Sequence, residues 1–213
     1  MKIVSLTLAR GGSKGLPRKN LALLQGRPLI HYVIEASKTS KVDQTWVSTE
    51  DKEIASVSLS LGASVIDRPD DLATDTSKSE ESLLHFAENV DFDIIVFIQT
   101  TSPLVTSEDI NKGIDLLQTG DYDSVFSVTE EHWVPKWTKD MTPINWDHFK
   151  RPRRQEMETT FIENGAFYIT TKNFLLKHKN RYGGNIGYVE IPLSRSFQID
   201  SLEELELIGK LLC

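Results

Sequence analysis

The chain has 213 residues, 39% of them hydrophobic, and a net charge of −7. That size supports one domain (1–213) with a sizeable core, and no stretch approaches the roughly 20 apolar residues that span a bilayer. An acidic chain is a poor general binder of nucleic acid, whose phosphates call for clustered Lys and Arg. The opening Met1-Lys2-Ile3-Val4 runs directly into strand-like sequence with no signal or transit pattern, so the simplest expectation is a soluble cytoplasmic protein. The lone cysteine, Cys213, excludes an intrachain disulfide and a thiolate zinc cluster. The five histidines show no HxxxH or HxH spacing. A magnesium site built from carboxylates and substrate oxygens needs no such motif.

Lys2 to Leu8 reads as a β-rich strand, and Pro28 to Lys38 as a helix with apolar residues at 29, 30, 33 and 34. Gln44 to Ser48 reads as a strand, Glu50 to Leu61 as a helix ended by Gly62, and Ala63 to Ile66 as a short strand. Ser77-Lys78-Ser79-Glu80 has a capping-box pattern, followed by Leu83, Ala87 and Val90 at helical spacing. Ile94 to Ile98 is a continuous apolar run, as expected of a strand buried on both faces of a parallel sheet. Thr106-Ser107-Glu108-Asp109 starts a helix that reaches Gly120, and Ser124 to Thr129 returns to strand. This alternation predicts an open, mostly parallel α/β sheet with helices on both faces, a Rossmann-like layout.

From Glu130 to about Thr160 the alternation stops. Three tryptophans, three prolines and the basic Arg151-Pro152-Arg153-Arg154 occupy a segment too long for an ordinary connection. Its aromatic content favours an arm onto a partner subunit. Gly165 to Thr170 and Gly187 to Ile191 then read as strands. Ser201 to Leu212 reads as a last helix, opened by the capping box Ser201-Leu202-Glu203-Glu204.

The chemistry concentrates in the segment from Leu8 to Asn20, LARGGSKGLPRKN, which begins where the first strand ends. Open α/β sheets bind ligands at that end of their strands. Gly11, Gly12 and Gly15 let backbone N–H groups approach an anion. Arg10, Lys14 and Lys19 bring charge for a triphosphate, and Ser13 a hydroxyl donor. The spacing fits neither a Walker loop (GxxxxGK[ST]) nor a dinucleotide fingerprint (GxGxxG).

LARGGSKGLPRKN resembles the signature of the CMP-sugar synthetases, especially the acylneuraminate cytidylyltransferases. The resemblance continues in order along the chain. It takes in Gly26-Arg27-Pro28-Leu29-Ile30, Val47-Ser48-Thr49-Glu50-Asp51 and Arg68-Pro69 with Leu72-Ala73-Thr74-Asp75-Thr76-Ser77. It then takes in Gln99-Thr100-Thr101-Ser102-Pro103-Leu104, Tyr122 to Val128, Arg151 to Gln155 and Glu163-Asn164-Gly165-Ala166-Phe167-Tyr168.

The resemblance implies a fold of the nucleotide-diphospho-sugar transferase type and an enzyme that couples CTP to a nonulosonic acid such as N-acetylneuraminate, releasing pyrophosphate. Arg10, Gly11, Gly12, Ser13 and Lys14 would hold phosphates. Lys19 and Asn20 would orient the nucleotide, and Arg68, Asp75 and Ser77 would line its side of the site; Asp75 and Ser77 also suit plain helix capping. Gln99 and Tyr168 would face the sugar, although a core tyrosine is nearly as good a reading of Tyr168. Arg153 and Arg154 would sit on an arm (130–160) that enters the other subunit's site, making a homodimer with shared active sites. The family's D-x-D metal motif is replaced here by Gln198-Ile199-Asp200, so Mg²⁺ would rest on Asp200. Legionaminate, pseudaminate or another ulosonate would use the same chemistry. A non-catalytic nucleotide-binding scaffold is the competing class.

Overall fold

A computed structural model describes residues 1–212; Cys213 lies outside the described residues. Seven strands form one sheet: β1 (Ile3–Leu8), β4 (Gln44–Thr49), β5 (Ser64–Asp67), β6 (Ile94–Ile98), β7 (Ser124–Glu131), β8 (Thr160–Thr171) and β9 (Ile186–Glu190). Their order is β5-β4-β1-β6-β8-β7-β9. All neighbours pair in parallel except β8, which runs antiparallel to both β6 and β7. The expectation of a mostly parallel sheet therefore holds, with one reversed strand inside it.

Alternation along the strands explains the layers. Ile94, Val96 and Ile98 of β6 pack on one face with α1 (Leu29–Lys38), α2 (Lys52–Ser60) and α4 (Ser107–Gln118), through Ile34, Ile54 and Ile114. Ile95 and Phe97 point to the other face. There they meet Leu83 and Phe86 of α3 (Ser79–Asn89) and Leu175 of α5 (Lys172–His178). Each such fully buried side chain contributes about 1.5–3 kcal/mol from lost apolar exposure. The last helix, α6 (Leu202–Leu211), covers a third cluster of Leu16, Leu24, Leu29 and Ile199, which ties the chain's end to the segment after β1. Among the described residues no helix is long and apolar enough to cross a membrane.

Local sequence sets the helix ends. Asp51 caps α2, Thr106 and Asp109 form a capping box on α4, and Ser201 with Glu204 does the same on α6. The box read at Ser77 is corrected. α3 begins at Ser79, and its cap is the backbone N–H of Lys78 donating to Glu81 (2.9 Å). The Ser77 hydroxyl is taken instead by Thr74 (2.7 Å) and the Asp71 carbonyl (2.9 Å). Two short elements carry weak periodicity and were not evident in the sequence. One is the hairpin β2 (Leu23–Leu24) and β3 (Arg27–Pro28), which turns through Gln25 and Gly26, both at positive φ. The other is α5, capped by Thr171.

β7 and β8 pair in two stretches separated by a bulge, where Gly165 takes a φ of +73°. Beyond the bulge the two strands project as a ribbon, pairing Val128–Glu131 with Glu163–Thr160. The segment at its tip is held by local contacts. Trp146 donates to the Lys136 carbonyl, Trp137 bridges to Pro143, and the rings of Trp133 and Trp137 meet Trp146 edge-on.

Candidate active site

A cavity of about 430 Å³ opens at the C-terminal ends of β1 and β6, between the loop after β1, the start of α3 and the segment before α6. Arg10, Ser13, Lys14, Gly15, Lys19 and Asn20 line it from the loop. Arg68, Asp75, Ser77 and Lys78 line it from the following segments, Gln99 from beyond β6, and Asp200 from the chain's end. Five cationic side chains face two carboxylates, so the field inside favours a polyanion. The first turn of α3 also faces this space, adding the positive end of a helix.

The cations are held in place. Asp75 bridges Arg10 (2.9 Å) and Lys14 (2.7 Å), and the hydrogen bond from Lys14, followed by that from Arg10, pulls its carboxyl below the usual range. Asp75 thus lines the cavity as an anchor for two cations. Asn20 is 3% exposed and donates to the Arg10 carbonyl (2.8 Å), fixing the loop from inside. Lys19 pairs with Asp200 (2.7 Å) across 181 residues of sequence.

Arg68 is 5% exposed and forms part of the cavity floor. It donates to the Ser48 carbonyl (2.6 Å) and lies 3.8 Å from Glu50. Burial lowers its pKa from the ordinary arginine value, with Glu50 opposing the shift and Arg10 adding to it. Glu50 also accepts the Gly11 N–H (2.6 Å), and its second carboxylate oxygen is buried without a hydrogen bond. The sequence offered Glu50 as the start of a helix and as part of the Val47–Asp51 segment of the resemblance, with no role of its own. Its part beneath the loop depends on the parallel pairing of β1 with β4, which no local pattern encodes.

The segment before α6 is positioned through Arg195, Gln198 and Ile199. Arg195 reaches Asp109 with both terminal nitrogens and also the Leu104 carbonyl. Asp109 is 1% exposed; burial alone would raise its carboxyl, but Arg195 and Thr106 together bring it below the ordinary value. The Ile199 N–H donates to the Thr101 carbonyl (2.8 Å), and Gln198 donates to the Asn164 carbonyl. Gly15 must be glycine because this segment passes close by: a Cβ there would lie 2.3 Å from the Asp200 carbonyl.

Several expected residues are placed elsewhere. The Gly11 N–H is committed to Glu50 rather than turned to the cavity, and Gly12 does not line it. Arg18, a loop cation to which the sequence assigned no role, takes a left-handed φ of 54°, turns outward to Asp51 and Glu53 and braces the loop against α2. Tyr168 is 4% exposed, stacked with Phe97 and Tyr182, and its hydroxyl donates to Glu163. It is a core residue here; its stacking partner Phe97 is the aromatic that lines the cavity. Arg153 and Arg154 are exposed on the arm, outside the cavity of their own chain, with Arg153 paired to Glu156. Among the described residues no three His, Cys, Asp or Glu side chains cluster as a metal cage. Asp200 lies at the cavity edge with a 61% exposed side chain.

A family model for cytidylyltransferases matches residues 4–211. The chain belongs to the cytidylyltransferase family. N-acylneuraminate cytidylyltransferase A of Danio rerio is 39% identical over 206 residues, which cover 93% of this chain and 48% of that protein. The chain thus spans about half the length of that relative. The CMP-N,N'-diacetyllegionaminic acid synthase of Legionella pneumophila is 33% identical over 228 residues, covering 100% of this chain and 97% of that one. Among solved structures, CMP:2-keto-3-deoxy-manno-octonic acid synthetase complexed with CTP superposes with a TM-score of 0.79. It is 18% identical and covers 100% of this chain and 98% of its own, so the likeness is one of fold. Cytidylyltransferase membership thus agrees with the cavity, whose cations suit a triphosphate and whose position suits the fold.

Proposed function

We propose that this member of the family transfers the CMP group of CTP to a nonulosonic acid. The observation that carries the reading is the meeting of Arg10, Lys14, Lys19 and Arg68 with Asp200 in one cavity at the strand ends. The acceptor's anomeric hydroxyl would attack the α-phosphorus, forming the new O–P bond as the bond to the β-phosphate oxygen breaks and pyrophosphate leaves. Such a transfer depends on positioning and on neutralising charge over the phosphate oxygens. Arg10 and Lys14 would exchange Asp75 for phosphate oxygens. Lys19, held by Asp200 and 17% exposed in its side chain, would stay directed at the reacting phosphate. Ser13 would donate to a phosphate oxygen, and Gln99 to the sugar. A Mg²⁺ held by Asp200 and the triphosphate's own oxygens would supply further charge neutralisation; one carboxylate fits an ion that keeps much of its water.

The names of the relatives support an acidic sugar acceptor, with N-acetylneuraminate first and legionaminate, pseudaminate or another ulosonate next. In the same reading the chain is one catalytic unit in the cytoplasm, where CTP is available. Its arm (130–160) lends Arg153 and Arg154 to a second subunit, and the exposure of both arginines supports a role outside their own chain. The test is pyrophosphate release from CTP and Mg²⁺ against each sugar acid in turn. Release with one or more nine-carbon acids is expected. No release with any acceptor, together with thermal stabilisation by CTP, would favour the non-catalytic scaffold.

A further inference from the structure

Gln198 stands two residues before Asp200, yet the two side chains open onto different cavities. Asp200 lines the nucleotide cavity; Gln198 lines a second one, of about 550 Å³, with Asn164, Ile162, Phe197 and Val134. The Gln198 amide nitrogen donates to the Asn164 carbonyl, at the bulge where β8 breaks register with β7. Asn164 is itself locked: it donates to Thr129 (2.9 Å) and accepts from Ser127 (2.6 Å) and the Ala166 N–H (3.2 Å). The next residue, Gly165, has a φ of +73°, and a Cβ there would lie 2.3 Å from the Gln198 nitrogen and 3.4 Å from that of Gln99. The Ala166 carbonyl in turn accepts the Gln99 N–H (3.1 Å). One chain of contacts therefore runs from Gln198 through the bulge to Gln99, on the wall of the nucleotide cavity.

We propose that Gln198 is a positioning residue rather than a metal ligand: its amide latches the segment carrying Asp200 onto the β8 bulge and so fixes Asp200 and Gln99 relative to each other. A carboxylate at 198 has no proton to give the Asn164 carbonyl and would be repelled by it, so aspartate cannot substitute for this glutamine. Gly165 is held to glycine by its φ of +73°, and any side chain added there would also push the Gln198 amide off the bulge. The latch bears on catalysis only if the proposed transfer holds, but its geometry can be tested without it.

Gln198→Asp and Gln198→Met are compared with the wild type in three measurements. In steady-state pyrophosphate release, both variants should lose about tenfold in kcat/KM for the acceptor, while KM for CTP stays within about threefold. In Mn²⁺ titration of the protein–CTP complex followed by electron paramagnetic resonance, both should bind Mn²⁺ about tenfold more weakly than the wild type and to the same extent as each other, because both release the segment that carries Asp200. Tighter binding with aspartate than with methionine would make residue 198 a ligand position and overturn the proposal. In thermal melting, Gly165→Ala should be destabilised by its positive φ and by displacing the Gln198 amide, and adding Gln198→Ala should then cost no further stability, because the latch is already broken. Additive losses would overturn the latch. If the wild type releases no pyrophosphate, the proposed transfer fails while the melting cycle still decides the latch.

Discussion

Two proline-containing segments with clustered positive charge interrupt this fold, and they are built in opposite ways. The loop from Arg10 to Asn20 is tied to distant parts of the chain. Asp75 holds Arg10 and Lys14, Glu50 holds the Gly11 N–H, Asp51 holds Arg18 and Asp200 holds Lys19. The arm has equally dense positive charge at Arg151, Arg153 and Arg154, but its contacts are local, as in the pairing of Arg153 with Glu156 three residues on. A polyanion site needs cations fixed before the ligand arrives, since like charges held together without partners would repel. Long-range carboxylates do that for the loop. Among the described residues no long-range carboxylate does it for the arm, whose arginines are exposed.

That contrast can be broken at several places, and the largest effect should come from the loop. Lys19→Ala removes the cation nearest Asp200 and should lower kcat for CTP transfer by about 10²–10³. KM for CTP should rise much less; an unchanged kcat would remove Lys19 from the reacting phosphate. Arg154→Ala should cost about tenfold or more in kcat/KM if the arm serves a site. Mixing it with the Lys19→Ala protein should then restore activity to about a quarter of wild type, because half of a random mixture is heterodimer with one intact site. No recovery on mixing would place the arm in its own chain's site or in none.

Gly15→Ala sharpens the comparison by displacing the loop without removing a charge. A Cβ 2.3 Å from the Asp200 carbonyl forces loop and segment apart. The expected result is about a tenfold loss in kcat/KM together with a lower melting temperature, because the clash is with backbone that cannot swing aside. Asp109→Asn acts on the segment from the other side. Asp109's carboxyl lies below its ordinary value in the folded chain, so it contributes stability above an unfolded pKa of about 3.9 and loses it as pH falls through the folded pKa. The variant should be less stable at pH 7 by about 2 kcal/mol, below the full value for a buried pair because Arg195 is partly open to solvent. Urea unfolding at pH 7 and pH 3 should show that difference shrinking in acid; a constant difference would rule out the ion pair as its source.

The layout was legible because local physics repeats along the chain. Ile94 to Ile98 reads as a doubly buried strand from its unbroken apolar run, and Thr106 and Ser201 announce their helices through side chains that cap within four residues. The glycines and cations of the loop, placed after the first strand, were enough to mark an anion site. The sequence by itself thus determined the α/β layering, the position of the site and the resemblance to the cytidylyltransferases. Only the tertiary structure decided which residues meet there. It buried Tyr168 and turned Phe97 to the cavity, engaged Gly11 with Glu50, swung Arg18 outward and set Gln198 on the β8 bulge. Those outcomes depend on strand pairings and contacts between residues far apart in sequence, such as Lys19 with Asp200. The energies that select them arise only once the sheet has brought the chain's ends together.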